Sequence, residues 1–187
     1  DFMFSMIREV LTTSKLDDTK RLYEIIARVR SRSQASLASA GHSTAVLRGA
    51  SYASPMAAFQ DEMAGIGYYQ FIEKLEKDFE QRKEETVEEL CKLMKKILRP
   101  ENFMISYTGE RESLETVQKL AGAVKAGLGP EPVEKSEEKL TCTKKNEGFK
   151  TSGQVQYVAQ TGNFKKKGLE YTGALEILKV ILSYDYL

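Results

Sequence analysis

The sequence has no tryptophan, one histidine (His42), two cysteines and four prolines among its 187 residues. Each shortage excludes something. A zinc hydrolase needs several N, O or S ligands at fixed spacing, such as H-x-x-E-H on one helix face, and "AGHSTAV" supplies one ligand with no acidic partner. His42 is read as ordinary structure. Cys91 and Cys142 are far apart and form no C-x-x-C, so no disulfide framework or zinc ribbon is written here. No run of about 20 apolar residues exists, so no membrane span is expected. The formal net charge is +1, from 28 Lys+Arg against 27 Asp+Glu, which gives no whole-chain basicity for nucleic acid. Neither G-x-S-x-G, nor a P-loop, nor G-x-G-x-x-G occurs.

What is present describes a globular chain: 41% hydrophobic and 29% charged residues, enough for one generous core or two small domains. Cys91 falls on the apolar face of a predicted helix and reads as a reduced core thiol. The two separated cysteines point to a reducing compartment, cytoplasm or organelle matrix. The chain opens "DFMFSMIREVL" with no initiator Met and ends "LEILKVILSYDYL" inside an apolar helical pattern. That pattern is read as a fragment of a longer polypeptide.

The periodicity predicts a mainly helical chain with two strand-like segments. Residues 2–13 read as a short helix. Asp17 and Asp18 are N-cap candidates for the next, whose apolar face carries Leu22, Ile25, Ile26 and Val29. Gly41 is read as its end. Ser54–Pro55 is a helix start, with Ser as N-cap and Pro at the first helical position. Tyr68, Ile72, Leu75 and Phe79 then recur at four, three and four residues, as a buried stripe requires. Residues 84–99 form another helix, with acidic residues leading, basic ones closing and Pro100 after it. "NFMISYTG" alternates, Phe103, Ile105 and Tyr107 against Met104, Ser106 and Thr108, and reads as a strand. Leu114, Val117, Ala121, Val124 and Leu128 mark a further helix. Residues 127–139 are a polar linker with two prolines. "GQVQYVAQTG" reads as a second strand paired near Phe149, "NFKKKG" as a turn, and 169–187 as a helix apolar over much of its circumference.

Side chains that could carry chemistry are few. Asp61 and Glu62 are neighbours on a helix, so they face different ways and do not form a glycosidase-type pair. Arg28, Arg30 and Arg32, and Lys165, Lys166 and Lys167, read as solvated surface. Tyr68, Tyr69 and Phe71 read as core rather than a base-stacking platform.

The stretch "LRGASYASPMAAFQDEMAGIGYYQFIEKLEKDFE", then a charged helix, then "RPENFMISYTGERE", resembles the presequence-protease branch of the pitrilysin/insulinase-type zinc metallopeptidases. "QVQYVAQTGNFKKKGLEYTGALEILKVILSYDYL" is similar to the opening of the last domain of the same enzymes. The likeness runs from about Arg21 to Leu187 and lies in packing sequence, not in a chemical motif. It implies an α+β fold, a helix-rich layer packed on antiparallel strands. The implied domains are 1–128 as part of a third, non-catalytic peptidase-like domain, 129–139 as linker and 140–187 as the truncated start of a fourth. It implies that zinc and the H-x-x-E-H site belong to the other half of a parent metalloendopeptidase that closes around short unfolded peptides. No catalytic or metal residue is carried over to this chain, which is expected to be inactive alone, and its substrate contacts are unassigned. Gly49 and Gly65 are expected to turn corners, and Tyr68, Phe71 and Ile72 to fill the core. Arg48 and Tyr52 are candidates to face the peptide chamber. Expected partners are the catalytic N-terminal half, peptide substrates and further copies of the truncated chain, with no nucleic acid and no membrane. The competing expectation is a stand-alone helical protein-interaction module without enzymatic activity.

Overall fold

The computed structural model describes residues 2–129, 139–151 and 154–185. The chain divides into two compact units, each assembled from two stretches of sequence: Asp1–Arg30 with Ile72–Glu137, and Ser31–Phe71 with Glu138–Leu187. Among the described residues, α-helices run in the order α1 (Phe2–Thr13), α2 (Thr19–Ser39), α3 (Gly41–Ser51), α4 (Pro55–Ala64), α5 (Ile66–Lys77), α6 (Phe79–Ile97), α7 (Leu114–Ala126) and α8 (Gly173–Asp185).

In the first unit, α2 starts where the sequence places it. The Asp18 carboxylate accepts from the Arg21 amide at 2.9 Å, satisfying one of the free N–H groups of the first turn. Helix α1 packs on α7. The core is small: Phe79, at 1% exposure, with Val124, Ile26, Ile72 and Leu128. The Tyr23 ring closes on Phe79 with centroids 5.6 Å apart. Arg30 Nε pairs with Glu76 at 3.0 Å, so one member of the arginine cluster is bound across helices. Most of α6 is solvated, and Arg82–Glu85 and Lys92–Glu88 pairs tie its surface at 2.8 Å each. Such exposed helix pairs are weak and easily screened.

In the second unit, α3 packs on α4. Ser54 caps α4, its side chain accepting from the Ala57 amide at 3.5 Å, with Pro55 at the first position. The turn at Lys165–Lys167 closes on Gly168, whose φ of 79° lies in the left-handed region that glycine enters freely.

The expected antiparallel strands are not there. Among the described residues no β-strand forms, and the fold is all-helical rather than α+β. Alternation in 103–108 and in 154–160 reports a backbone with two unlike faces, not a partner. A strand also needs a second segment whose N–H and C=O groups align with its own. Tyr107 instead turns back locally, its hydroxyl donating to the Glu110 carbonyl at 3.0 Å. Gly41 marks the break between α2 and α3, as expected. Three smaller expectations fail: Gly49 lies inside α3 rather than at a corner, and two residues expected in the core are exposed. Phe71 is 62% exposed, and Cys91 is an exposed free thiol rather than a core one. Of the expected 129–139 linker, 130–138 lie outside the described residues.

Candidate functional site

The densest polar arrangement sits in the second unit, on α3, α4 and the corner between α4 and α5. It begins with Asp61, in the last turn of α4. At 2% exposure it is the most buried charged residue among those described. A buried carboxylate is costly unless each oxygen finds donors. Asp61 finds three. The amide of Ile66 donates to Oδ1 at 3.0 Å and that of Gly67 to Oδ2 at 3.1 Å. Arg48 Nη1 donates to Oδ2 at 2.6 Å. Two of the donors are the first amides of α5, so the carboxylate also meets the positive end of that helix.

Gly65 and Gly67 make room for this. A Cβ on Gly65 would stand 2.9 Å from the Asp61 Cα, and one on Gly67 would stand 2.9 Å from its Oδ2. Gly65 turns the corner between α4 and α5, as expected, with its amide on the Asp61 carbonyl at 2.9 Å.

Arg48 extends the network. Its Nε donates to Glu147 Oε2 and to the Tyr52 hydroxyl oxygen, both at 2.9 Å. Its Nη2 reaches Glu147 Oε1 at 3.5 Å. The Tyr52 hydroxyl donates to Glu147 in turn. The guanidinium lies 5.4 Å from the Tyr52 ring centre and 5.8 Å from that of Phe149, within reach of cation–π attraction. Ser51, buried, donates to the Arg48 carbonyl at 2.7 Å.

The electrostatics follow from these contacts. Burial acts to lower the Arg48 pKa, but hydrogen bonds to Glu147 and Asp61 outweigh it and the net shift is upward. Hydrogen bonds from Arg48, then Tyr52, hold the Glu147 carboxyl below its usual range. Burial, then the bond to Glu147, pushes the Tyr52 phenol up. Beside Arg48 opens a cleft of about 460 Å³ lined by Ser51, Ala58, Asp61, Glu62, Gly67 and Phe71 as well.

Arg48 and Tyr52, singled out in the sequence, therefore meet at one place. Asp61 and Glu62 diverge, one buried and one exposed. His42 lies apart, exposed on α3, its ring 6.3 Å from that of Tyr157. Sequence reasoning missed Asp61 as the anchor. The signal available was an Asp four residues before Gly-Ile-Gly at a helix boundary. It also missed Glu147, 99 residues from Arg48 in sequence, for which no local signal exists. Among the described residues no group of three or more His, Cys, Asp or Glu is placed to hold a metal ion. The residues described here do not fit a zinc ion. No helix among them is long and apolar enough to cross a membrane.

Comparison with known proteins agrees with the resemblance seen in the sequence. Residues 1–75 match a family model described as associated with peptidases of family M16, subfamily C. Along its length the chain is similar to one section each of two presequence proteases and of a clostridial protein. It is 34% identical over 97% of its length to Protein HypA of Clostridium perfringens, covering 18% of that protein. It is 24% identical over its full length to presequence protease 1, chloroplastic/mitochondrial, of Arabidopsis thaliana, covering 17% of it. With the mitochondrial presequence protease of Yarrowia lipolytica the identity is 26% over 99% of the chain and 19% of the relative. The chain thus spans under a fifth of the length of these curated relatives. No solved structure matches it.

Proposed function

We propose that this chain is part of a zinc-dependent metalloendopeptidase that degrades short unfolded peptides, and that it forms chamber wall rather than the site of cleavage. The observation that carries the reading is alignment of essentially the whole chain with one section of two presequence proteases. In this reading the chain's own work is to pack and to present a polar surface. On the same reading zinc would supply a Lewis acid that activates water, held by ligands in the remainder of the parent. The partners are that catalytic half and the peptides it encloses. The compartment is an organelle matrix or other reducing interior, in keeping with the chloroplast and mitochondrial locations in the names of two relatives and two free thiols.

The test has two arms. The full-length protein encoded around this segment is expected to hydrolyse short unstructured peptides and to lose that activity to a chelator. The 187-residue chain alone is expected to cleave nothing and to hold no stoichiometric zinc. A tightly bound zinc per isolated chain would overturn the placement of the metal. A full-length protein without peptidase activity would overturn the reading as a whole.

A further inference from the structure

Arg48 offers the two sides of its guanidinium to two carboxylates of unlike standing. Asp61 on one side is buried and held by two further amides, so it cannot leave without unfolding the α4–α5 corner. Glu147 on the other side belongs to a segment with little else to hold it. Among the described residues, 139–150 and 154–163 make no backbone-to-backbone hydrogen bond, and nearly all are exposed. Side chains alone seat them. Tyr157 lies against Gly41, where a Cβ would stand 2.5 Å from the ring, and Thr161 lies against Gly49. Asn163 Nδ2 donates to the Ala53 carbonyl at 3.0 Å. Eight helical residues rise about 12 Å and four extended ones reach about 13 Å, so 157–161 run alongside α3. A segment held by so few contacts lies at the low end of local opening free energies.

We infer that Arg48 and Tyr52 form a carboxylate receptor that Glu147 fills in cis, and that a peptide carboxylate fills it when the segment around Glu147 lifts. The ligand class is read from the occupant. The site already holds a carboxylate on which Nε, Nη2 and the Tyr52 hydroxyl converge, and the guanidinium fork suits that group. Asp61 fixes the far side of the fork, so the receptor stays formed when its ligand leaves. The adjoining cleft, with exposed Phe71 on its wall, has room for the rest of a short peptide. Glu62 lines the same cleft and disfavours a second acidic group beside the first. That the carboxylate comes from a peptide rests on the proposed peptidase reading; the receptor and its internal occupant do not.

Glu147→Gln weakens the internal competitor while keeping its shape. By fluorescence anisotropy on the whole 187-residue chain, a labelled unstructured peptide with no acidic side chains and a free C-terminus is the first probe. It is expected to bind Glu147→Gln about tenfold more tightly than the unaltered chain, because a site freed of its occupant binds at its intrinsic affinity. Adding Tyr52→Phe should reverse most of that gain without loss of helical circular dichroism. Amidating the peptide's C-terminus should abolish binding, and an amidated peptide with one internal Glu tells a side-chain carboxylate from a terminal one. Equal binding to both chains, or binding indifferent to amidation, would overturn the inference. Acetate titrated into Glu147→Gln, followed by the Arg48 Nε–H resonance, reads the receptor by itself. A saturable shift without peptide binding would uphold the receptor and remove peptides as its ligand; no shift would sink both.

Discussion

Arg48 Nη1 stands 2.6 Å from Asp61 Oδ2, with the two side chains 17% and 3% exposed. That ion pair joins α3 to the corner between α4 and α5, and it does so where water scarcely reaches. Removing one partner leaves the other charged and buried, a loss of about 3–5 kcal/mol. Asp61→Ala also strips the Ile66 and Gly67 amides of their acceptor. A fall of that size in unfolding free energy, read from urea denaturation, is the expected result. A loss under about 1 kcal/mol would mean that the pair is incidental.

Two glycines give opposite answers to the same substitution. Gly65→Ala puts a Cβ 2.9 Å from the Asp61 Cα, and backbone cannot swing aside as a side chain can. The expected cost is about 1–3 kcal/mol. Gly122→Ala meets nothing within 4 Å and lies inside helix α7. It is expected to stabilise by about 0.5–1 kcal/mol, since alanine loses less backbone freedom on folding. Thermal melts of the two variants beside the parent check both signs at once.

The helices were largely legible because each carries its own signals. Asp18, Ser54–Pro55 and Pro100 mark boundaries that the structure respects, and Ile72 and Phe79 from the predicted stripe are buried. The strands were misjudged because Phe103, Ile105 and Tyr107 say which way a backbone faces and nothing about whether another segment lies beside it. Phe71 failed for a related reason: helical spacing identifies a face, and on α5 that residue lies outside the buried one. The polar site was half legible. Arg48 and Tyr52, four apart, fall on one helix face, whereas Glu147 arrives from 99 residues away.

Glu147 makes the stability of the second unit depend on pH. Hydrogen bonds from Arg48 and then Tyr52 depress its folded pKa below the ordinary 4.5. Between the two values the unfolded chain binds more protons than the folded one, so stability rises with pH there. The contribution is complete above 4.5 and is lost as pH falls through the depressed value. Urea midpoints taken from about pH 6 down to about pH 3 should fall less steeply in Glu147→Gln than in the unaltered chain. Parallel profiles would show that Glu147 is not held this way.

Tyr52 gives the complementary dependence at the alkaline end. Burial, then its bond to Glu147, raises the phenol above its ordinary value of 10.0. A raised pKa supplies stability that is whole below the ordinary value and disappears as pH rises through the folded one. Tyr171, bonded to Glu176, is raised as well, so spectrophotometric titration should show late ionisation of two tyrosines, which Tyr52→Phe reduces to one. An unchanged late amplitude in that variant would show that Tyr52 is not shifted.

The apolar surface of α8 leads to a prediction about assembly. Ile177, Leu178, Val180, Ile181 and Leu182 are all exposed on this short helix, and Phe2, Met3 and Val10 on α1 likewise. Scattered apolar residues are ordinary on a protein surface, but a continuous patch is a contact surface. The 187-residue chain is therefore expected to self-associate, with an apparent mass by light scattering that climbs with concentration. Ile177 and Ile181 lie one turn apart on a single face, so Ile177→Lys with Ile181→Lys places two like charges inside any contact made by that face. The double variant is expected to scatter as a monomer where the unaltered chain does not. If the unaltered chain is itself monomeric at high concentration, the patch does not bind copies of itself. If the double variant associates as strongly as the parent, the contact lies on another surface, and the exposed residues of α1 are the next to change.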